Sequence, residues 1–161
     1  MGAAVIRRAK LVDDERLAEL DGLTWSPRAN PGPRPPEGRP FFVGGLEPGN
    51  VLVAEAGGTV VGYVALGAPT RLASNAHVQA IHGLAVDPVH QGRGVGRQLL
   101  QAAADQARRR GARRLTLRVL ATNRLARRLY QACGFVEEGI LPDEFLLDGR
   151  YVDDVLMALR L

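Results

Sequence analysis

At 161 residues the chain is long enough for one domain with a real core and too short for two comfortable ones, so a single domain over 1–161 is expected. Its apolar content of 46% is ordinary and no apolar run approaches the length of a bilayer crossing, which argues against a membrane protein. The net charge of +4 is mostly arginine on helical stretches (108–110, 113 and 114; 124, 127 and 128), which reads as solvated helix faces rather than a nucleic-acid surface, although it would also help to capture a polyanionic cofactor. The start, Met-Gly-Ala-Ala-Val-Ile-Arg-Arg, lacks the order of a signal peptide, and a cytoplasmic protein is expected. Cys133 alone has neither a disulfide partner nor metal-ligand spacing; it reads as a small packing residue, and no metal is expected.

In chain order, residues 5–9 alternate weakly and suggest a first strand. Val12-Asp13-Asp14-Glu15 makes a helix entrance with acids in its first turn, and the helix runs over 16–23. Prolines and glycines crowd 26–40, a loop long enough to be either an active-site lid or a disordered segment. Trp25, Phe41 and Phe42 flank it, as core anchors or as walls of an acceptor pocket. Two β-rich runs, 51–56 and 59–66, are joined by Gly57-Gly58, a strong hairpin signal. A polar connection over 69–76 leads to a strand over 77–86, stopped by Asp87-Pro88.

Gly92, Gly94 and Gly96 follow, and from Arg97 to about Arg110 the residues are strong helix formers until Gly111. The glycines therefore sit at a helix N-terminus. Side-chain-free positions let a ligand approach the backbone, and unpaired N–H groups with the positive end of the dipole favour an anion, with phosphate or pyrophosphate the natural guest. The dinucleotide fingerprint needs Gly at 92, 94 and 97, but position 97 is Arg, and no Gly-Lys-Ser/Thr ending of a P-loop follows. A strand over 115–120, Asn123 at its exit, a helix over 124–133 closed by Gly134-Phe135, and strand-like stretches at 135–138, 144–147 and 152–159 complete the chain, with Asp148-Gly149-Arg150 turning between the last two. The order predicts a mixed α/β sheet with one right-handed parallel crossover between the strand ending at Val86 and the strand starting near Leu115.

Gln91-Gly92-Arg93-Gly94-Val95-Gly96 resembles the acyl-CoA loop of the Gcn5-related N-acetyltransferases at every fixed position. The Leu-Ala-Val-Asp-Pro strand end, the stretch from Asn123 to Tyr130 with its Gly134-Phe135 stop, and the final Asp-Gly-Arg-Tyr-Val-Asp hairpin are similar to the same family in order and spacing, over nearly the whole chain. The resemblance implies an acyl-CoA N-acyltransferase (GNAT) fold, α/β with a mostly antiparallel central sheet, one splayed parallel strand pair, and flanking helices. It implies that acetyl-CoA is the cosubstrate, with Leu84, Ala85 and Val86 pairing with pantetheine near a bulge, and Gln91, Gly92, Arg93, Gly94, Val95, Gly96 and Arg97 wrapping the pyrophosphate. Asn123 would bond the pantetheine or its surroundings, Ala126 would leave room for the cofactor, and Tyr130 would act as the acid on the leaving sulfur. Homodimers through the C-terminal strands are frequent in such enzymes.

An amine nucleophile must lose a proton, the carbonyl must be polarised, and the thiolate benefits from a proton as it leaves. A backbone N–H near Val86 is the candidate for the carbonyl. Strand positions such as Ala80 supply no carboxylate base, so His82 or a water is the candidate; with strict alternation Ala80, His82, Leu84 and Val86 share one face, and imidazole titrates near neutral pH. His77 reads as structural and His90 as a loop residue beside the cofactor. Asp143, Glu144, Asp148, Asp153 and Asp154 near the last turn read as a solvated hairpin. The leading expectation is acetylation of a small-molecule primary amine, such as an amino acid or polyamine, with neither nucleic acid nor membrane as partner. Acetylation of a peptide α-amine or lysine, and a CoA-binding sensor without turnover, are the alternatives.

Overall fold

The computed structural model describes residues 3–161. Its strands are β1 (Val5–Arg8), β2 (Val51–Ala56), β3 (Thr59–Gly67), β4 (Val78–Val86), β5 (Arg114–Leu120), β6 (Val136–Leu147) and β7 (Arg150–Arg160); its α-helices are α1 (Asp14–Thr24), α2 (Val95–Arg109) and α3 (Arg124–Ala132). The strands form one sheet in the order β1-β2-β3-β4-β5-β7-β6, and every neighbouring pair is antiparallel except β4 and β5. This is the expected mixed sheet with one parallel pair. Gly57 and Gly58 both take positive φ, 58° and 78°, as a two-residue hairpin of matching twist demands.

Helices cover both faces of the sheet. On one face α2 buries Leu99, Leu100, Ala103, Ala104 and Ala107, a stripe at helical spacing, against Leu52, Val64, Leu66, Ile81, Leu115 and Leu117, with Tyr130 and Phe135 from the α3 region. On the other face α1 buries Leu17 and Leu20 against Val51, Val53, Tyr63, Ala65 and Ala85, and Phe41 closes that side. Gly111 ends α2 with φ 81°, donating to Arg108 O while Ala112 N–H reaches Ala107 O, a Schellman arrangement. Among the described residues no helix is long and apolar enough to cross a membrane.

Two expectations need correction. The stretches 135–138 and 144–147 belong to one strand, β6, whose register shifts between Glu137 and Gly139 and between Leu141 and Phe145. Pro142 and Asp143 (φ 52°) are absorbed as an irregularity because β6 is the edge of the sheet, where a missing N–H donor costs no ladder bond. The acidic hairpin, moreover, is not uniformly solvated: Asp154 is 3% exposed, and Arg118 Nε donates to it at 2.5 Å.

Candidate active site

The parallel pair is short. β4 and β5 pair only at Val78 with Arg114, Gln79 with Leu115 and Ala80 with Thr116. Beyond that point 81–86 and 117–120 run on without pairing across the gap, opening a cleft of about 960 Å³. His82, Gly83 and Leu84 line it from β4, Leu117 to Leu120 from β5, and Asn123, Ala126 and Tyr130 from α3 and its cap.

A bulge in β4 reshapes the face that alternation predicts. Ala65 pairs with Gly83 and the next β3 residue, Leu66, with Ile81, so His82 is the extra residue with no partner. Leu84 and Val86 consequently share a face with Ile81, against the α2 core, and not with Ala80. His82 is exposed, lines the cleft, and lays its imidazole over Gly67.

Asp87 N–H donates to Val61 O at 2.8 Å, which fixes the phase of the β3–β4 ladder. Antiparallel alternation then turns the polar groups of Ala85 toward β3 and those of Leu84 and Val86 toward the cleft. Of the three residues expected to pair with pantetheine, Leu84 and Val86 turn their backbone groups away from β3, and Ala85 turns its own toward β3. Gln91 Nε2 donates to Val86 O at 3.0 Å, tying the loop to the strand end and leaving the Val86 N–H as the donor aimed into the cleft.

Within the loop the three glycines do different things. Gly92 and Gly94 have φ of 73° and 83°, with open space where a Cβ would be. Gly94 is the N-cap of α2, and the first intrahelical bond runs from Gln98 N–H to Gly94 O, so the N–H groups of Val95, Gly96 and Arg97 are free of helical partners. At Gly96 the missing side chain serves packing: a Cβ there would lie 2.9 Å from Leu129 Cδ2, so glycine permits close α2–α3 approach while its N–H stays without a helical partner. Val95 is buried and offers only backbone, Arg93 is exposed, and Arg97 Nη2 donates to Ala132 O at 3.0 Å. His90 stands beside the loop with a buried, unbonded Nδ1. The positive-φ glycines and the free helix donors fit a pyrophosphate.

Asn123 caps α3, its Oδ1 accepting from Ala126 N–H at 3.2 Å, so its carbonyl is committed to the helix. Ala126 faces the cleft. Tyr130 is buried, rests on Phe135 with centroids 5.8 Å apart, and burial pushes its phenol up to about 12. No hydrogen bond to its hydroxyl forms among the described residues. Cys133 packs, half-buried, against the main core. Among the described residues no group of three or more His, Cys, Asp or Glu is arranged to hold a metal ion.

On the other wall of the cleft, sequence reasoning named Trp25 and the 26–40 loop but passed over Asp21, Thr24 and Tyr63. Asp21 and Thr24 of α1, Trp25, Tyr63, and Ala29, Asn30, Pro31 and Pro35 of the 26–40 loop all line it. The loop is held by Trp25 Nε1 donating to Gly32 O at 3.1 Å and by Thr122 Oγ1 donating to Arg28 O at 3.0 Å across the cleft. Only tertiary folding brings these residues to the β4 bulge; the sequence signal was limited to an aromatic beside a long Pro-rich loop.

A splayed parallel pair followed by a glycine loop and a helix N-terminus with unpaired N–H groups is the arrangement expected of acyl-CoA N-acyltransferases. The acetyltransferase (GNAT) family matches residues 14–135, and the chain belongs to that family. It is 34% identical over 111 residues to the L-methionine sulfoximine/L-methionine sulfone acetyltransferase of Salmonella typhimurium, covering 69% of this chain and 64% of that protein. It is 40% identical over 78 residues to the spermidine N(1)-acetyltransferase of Vibrio cholerae (48% of this chain, 45% of the other). It is also 40% identical over 80 residues to the [ribosomal protein bS18]-alanine N-acetyltransferase of Escherichia coli K12 (49% and 53%). The matches thus span less than two thirds of these relatives' own lengths. The structure of yncA from Salmonella typhimurium, solved with its cofactor acetyl-CoA, superposes with a TM-score of 0.81 at 26% identity, covering 99% of this chain and 95% of that one.

Proposed function

We propose that the chain is an acetyl-CoA-dependent N-acetyltransferase acting on a primary amine of a small molecule. The observation that carries this reading is the splayed β4–β5 cleft lined by Leu84, Asn123, Ala126 and Tyr130, whose β4 wall runs on through Val86 into the Gly92–Gly94 loop and the unpaired N–H groups of the α2 N-terminus. Kinship with acetyltransferases and the acetyl-CoA bound by yncA support it. Acetyl-CoA would supply the activated acetyl thioester. Leu84 would pair with its pantetheine arm, and Gln91, Gly92, Gly94 and the N–H groups of residues 95–97 would hold its pyrophosphate. The α3 surface at Ala126 would leave it room.

Within that frame the Val86 N–H meets negative charge growing on the acyl oxygen. Tyr130, protonated throughout the neutral range, holds a proton for the departing sulfur. His82 is the side chain at the bulge able to take the amine proton, directly or through water. The 26–40 loop roofs the acceptor half of the cleft as a lid. A homodimer, where formed, would use the edge strand β6, whose Val136, Ile140 and Leu146 are exposed.

Thiol release from acetyl-CoA over a panel of amines, amino acids, polyamines and peptides tests the reading. Turnover on small amines is the expected result. Tight CoA binding with no turnover on any acceptor would instead mean a sensor, and turnover confined to peptides would mean a protein acetyltransferase.

A further inference from the structure

The acceptor half of the cleft contains an ionisable pair that the acyl-transfer chemistry above does not use. Tyr63, on β3, donates its hydroxyl to Asp21 Oδ1, on α1. Three contacts fix the tyrosine. Its ring meets Phe41 edge-on at 4.9 Å, and Gly83 lies under it so closely that a Cβ there would sit 3.2 Å from both Cε2 and the hydroxyl oxygen. Asp21 is the third. A carboxylate is therefore held one hydroxyl away from Gly83, next to the β4 bulge, in a cleft that His82, Trp25, Pro31 and Pro35 also line. Burial raises the Asp21 carboxyl and, together with the neighbouring carboxylate, raises the Tyr63 phenol well above its ordinary value; Tyr63 stays a donor to Asp21, and Arg39 is near enough to oppose the Asp21 shift.

The charges of the cleft decide what this carboxylate is for. Asp21 forms no ion pair among the described residues, and its second oxygen has no donor there. The arginine on the opposite wall, Arg118, is already committed: its Nε donates to buried Asp154 at 2.5 Å and its Nη2 lies 3.5 Å from Glu144. Glu138, also on the wall, is paired with Arg114 at 2.6 Å. A ligand carboxylate entering here would meet a cation neutralised by its own neighbours. A ligand ammonium would meet an anion with a free oxygen, partly desolvated and rigidly aimed, where pairing is worth more than at a surface.

We propose that Asp21, aimed by the Tyr63 hydroxyl, is the acceptor-recognition site of the cleft and takes a protonated amine with no carboxylate beside it, the class of alkylamines and polyamines. This rests on the acetyltransferase reading and narrows its substrate class. An amine held at Asp21 would share the cleft with His82, the side chain proposed to take its proton. The α-amino acids are disfavoured because the arginine that lines the cleft, Arg118, is already paired, and Arg39, near enough to act on Asp21, is not among the lining residues.

Steady-state kinetics on matched pairs, each L-amino acid against the amine left by removing its carboxylate, test the assignment. The amine is expected to exceed its amino acid in kcat/KM by tenfold or more. Asp21→Asn, which keeps an acceptor for Tyr63, is expected to raise the amine's KM at least tenfold and to erase that preference, with kcat and the acetyl-CoA Kd within twofold of wild type. Tyr63→Phe should raise KM in the same direction by a smaller factor. A wild-type preference for the amino acids, or an unchanged KM in Asp21→Asn, overturns the assignment while leaving the acetyltransferase reading intact. Absence of turnover on every acceptor by the wild type overturns both. Calorimetric binding of acetyl-CoA checks that each variant is folded; should Asp21→Asn not fold, the substrate pairs and Tyr63→Phe still decide.

Discussion

Gly67 and His82 are in contact across the β3–β4 bulge: a Cβ on Gly67 would lie 2.9 Å from both Cδ2 and Nε2 of the imidazole. The ring is therefore seated on a surface that only glycine provides, at the residue that the bulge leaves unpaired. Gly67→Ala forces the imidazole off that seat without removing it, whereas His82→Ala removes it. If His82 handles the amine proton, both variants lower kcat/KM, by about 10-fold or more, and His82→Ala also changes its pH dependence. An unaltered pH profile in His82→Ala takes the residue out of the mechanism.

Tyr130 gives a prediction in which activity and stability move separately. Tyr130→Phe should lower kcat by about 10²–10⁴-fold, the usual worth of a positioned acid, with the acetyl-CoA Kd unchanged. Burial holds the folded phenol near 12, above its ordinary value of 10. Between these two values the unfolded chain has lost the proton and the folded chain keeps it, so the stability contribution, complete below pH 10, falls as pH rises toward 12. The loss is at most about 3 kcal/mol. Urea unfolding at pH 8 and pH 11 should show a steeper fall for wild type than for Tyr130→Phe; parallel falls would mean that the phenol is not buried as described.

The local structure of the proposed cofactor half was legible because its determinants are local. A glycine at a helix N-cap, an Asn three residues before a free amide, and a strand closed by Asp-Pro are short-range rules, and Gly94, Asn123 and Asp87 obey them. The acceptor half was not, because Asp21 and Tyr63 are 42 residues apart and meet only when α1 packs across the sheet. His82 was expected on one face with Ala80, Leu84 and Val86, and a bulge that shifts the alternation by one, which composition does not announce, takes it off that face. The break expected inside β6 failed for a related reason: an edge strand tolerates Pro142, and edge status is a property of the finished sheet.

The loop glycines separate backbone conformation from packing. Gly94→Ala puts a side chain on a residue at φ 83°, which costs roughly 1–2 kcal/mol, and does so at the cap where the pyrophosphate would bind. Its main effect should be an acetyl-CoA Kd raised by about tenfold, read by calorimetry. At Gly96 helix propensity favours Ala by up to about 1 kcal/mol, but the added Cβ presses on Leu129, one residue before Tyr130. Gly96→Ala should therefore reduce kcat more than acetyl-CoA affinity. Equal losses of affinity in both variants would contradict the separation.

The 26–40 loop is tethered where it crosses the cleft. Thr122 Oγ1 donates to Arg28 O at 3.0 Å, joining the loop to the turn between β5 and α3, next to the α3 cap. Thr122→Val preserves shape and deletes the donor, so the loop loses its attachment on the far side while the Trp25–Gly32 bond near α1 persists. Trypsin reports on this directly, because in 26–40 the peptide bonds after Arg34 and Arg39 precede proline and are resistant, leaving Arg28-Ala29 as the susceptible bond. Cleavage there should be several-fold faster in Thr122→Val, and a saturating acceptor amine should slow it in wild type by holding the roof closed. The same variant should raise the acceptor KM and leave the acetyl-CoA Kd unchanged, since Ala29, Asn30, Pro31 and Pro35 face the acceptor half and not the α2 N-terminus. A faster cut with an unchanged KM would make the loop a mobile cover with no part in holding the amine.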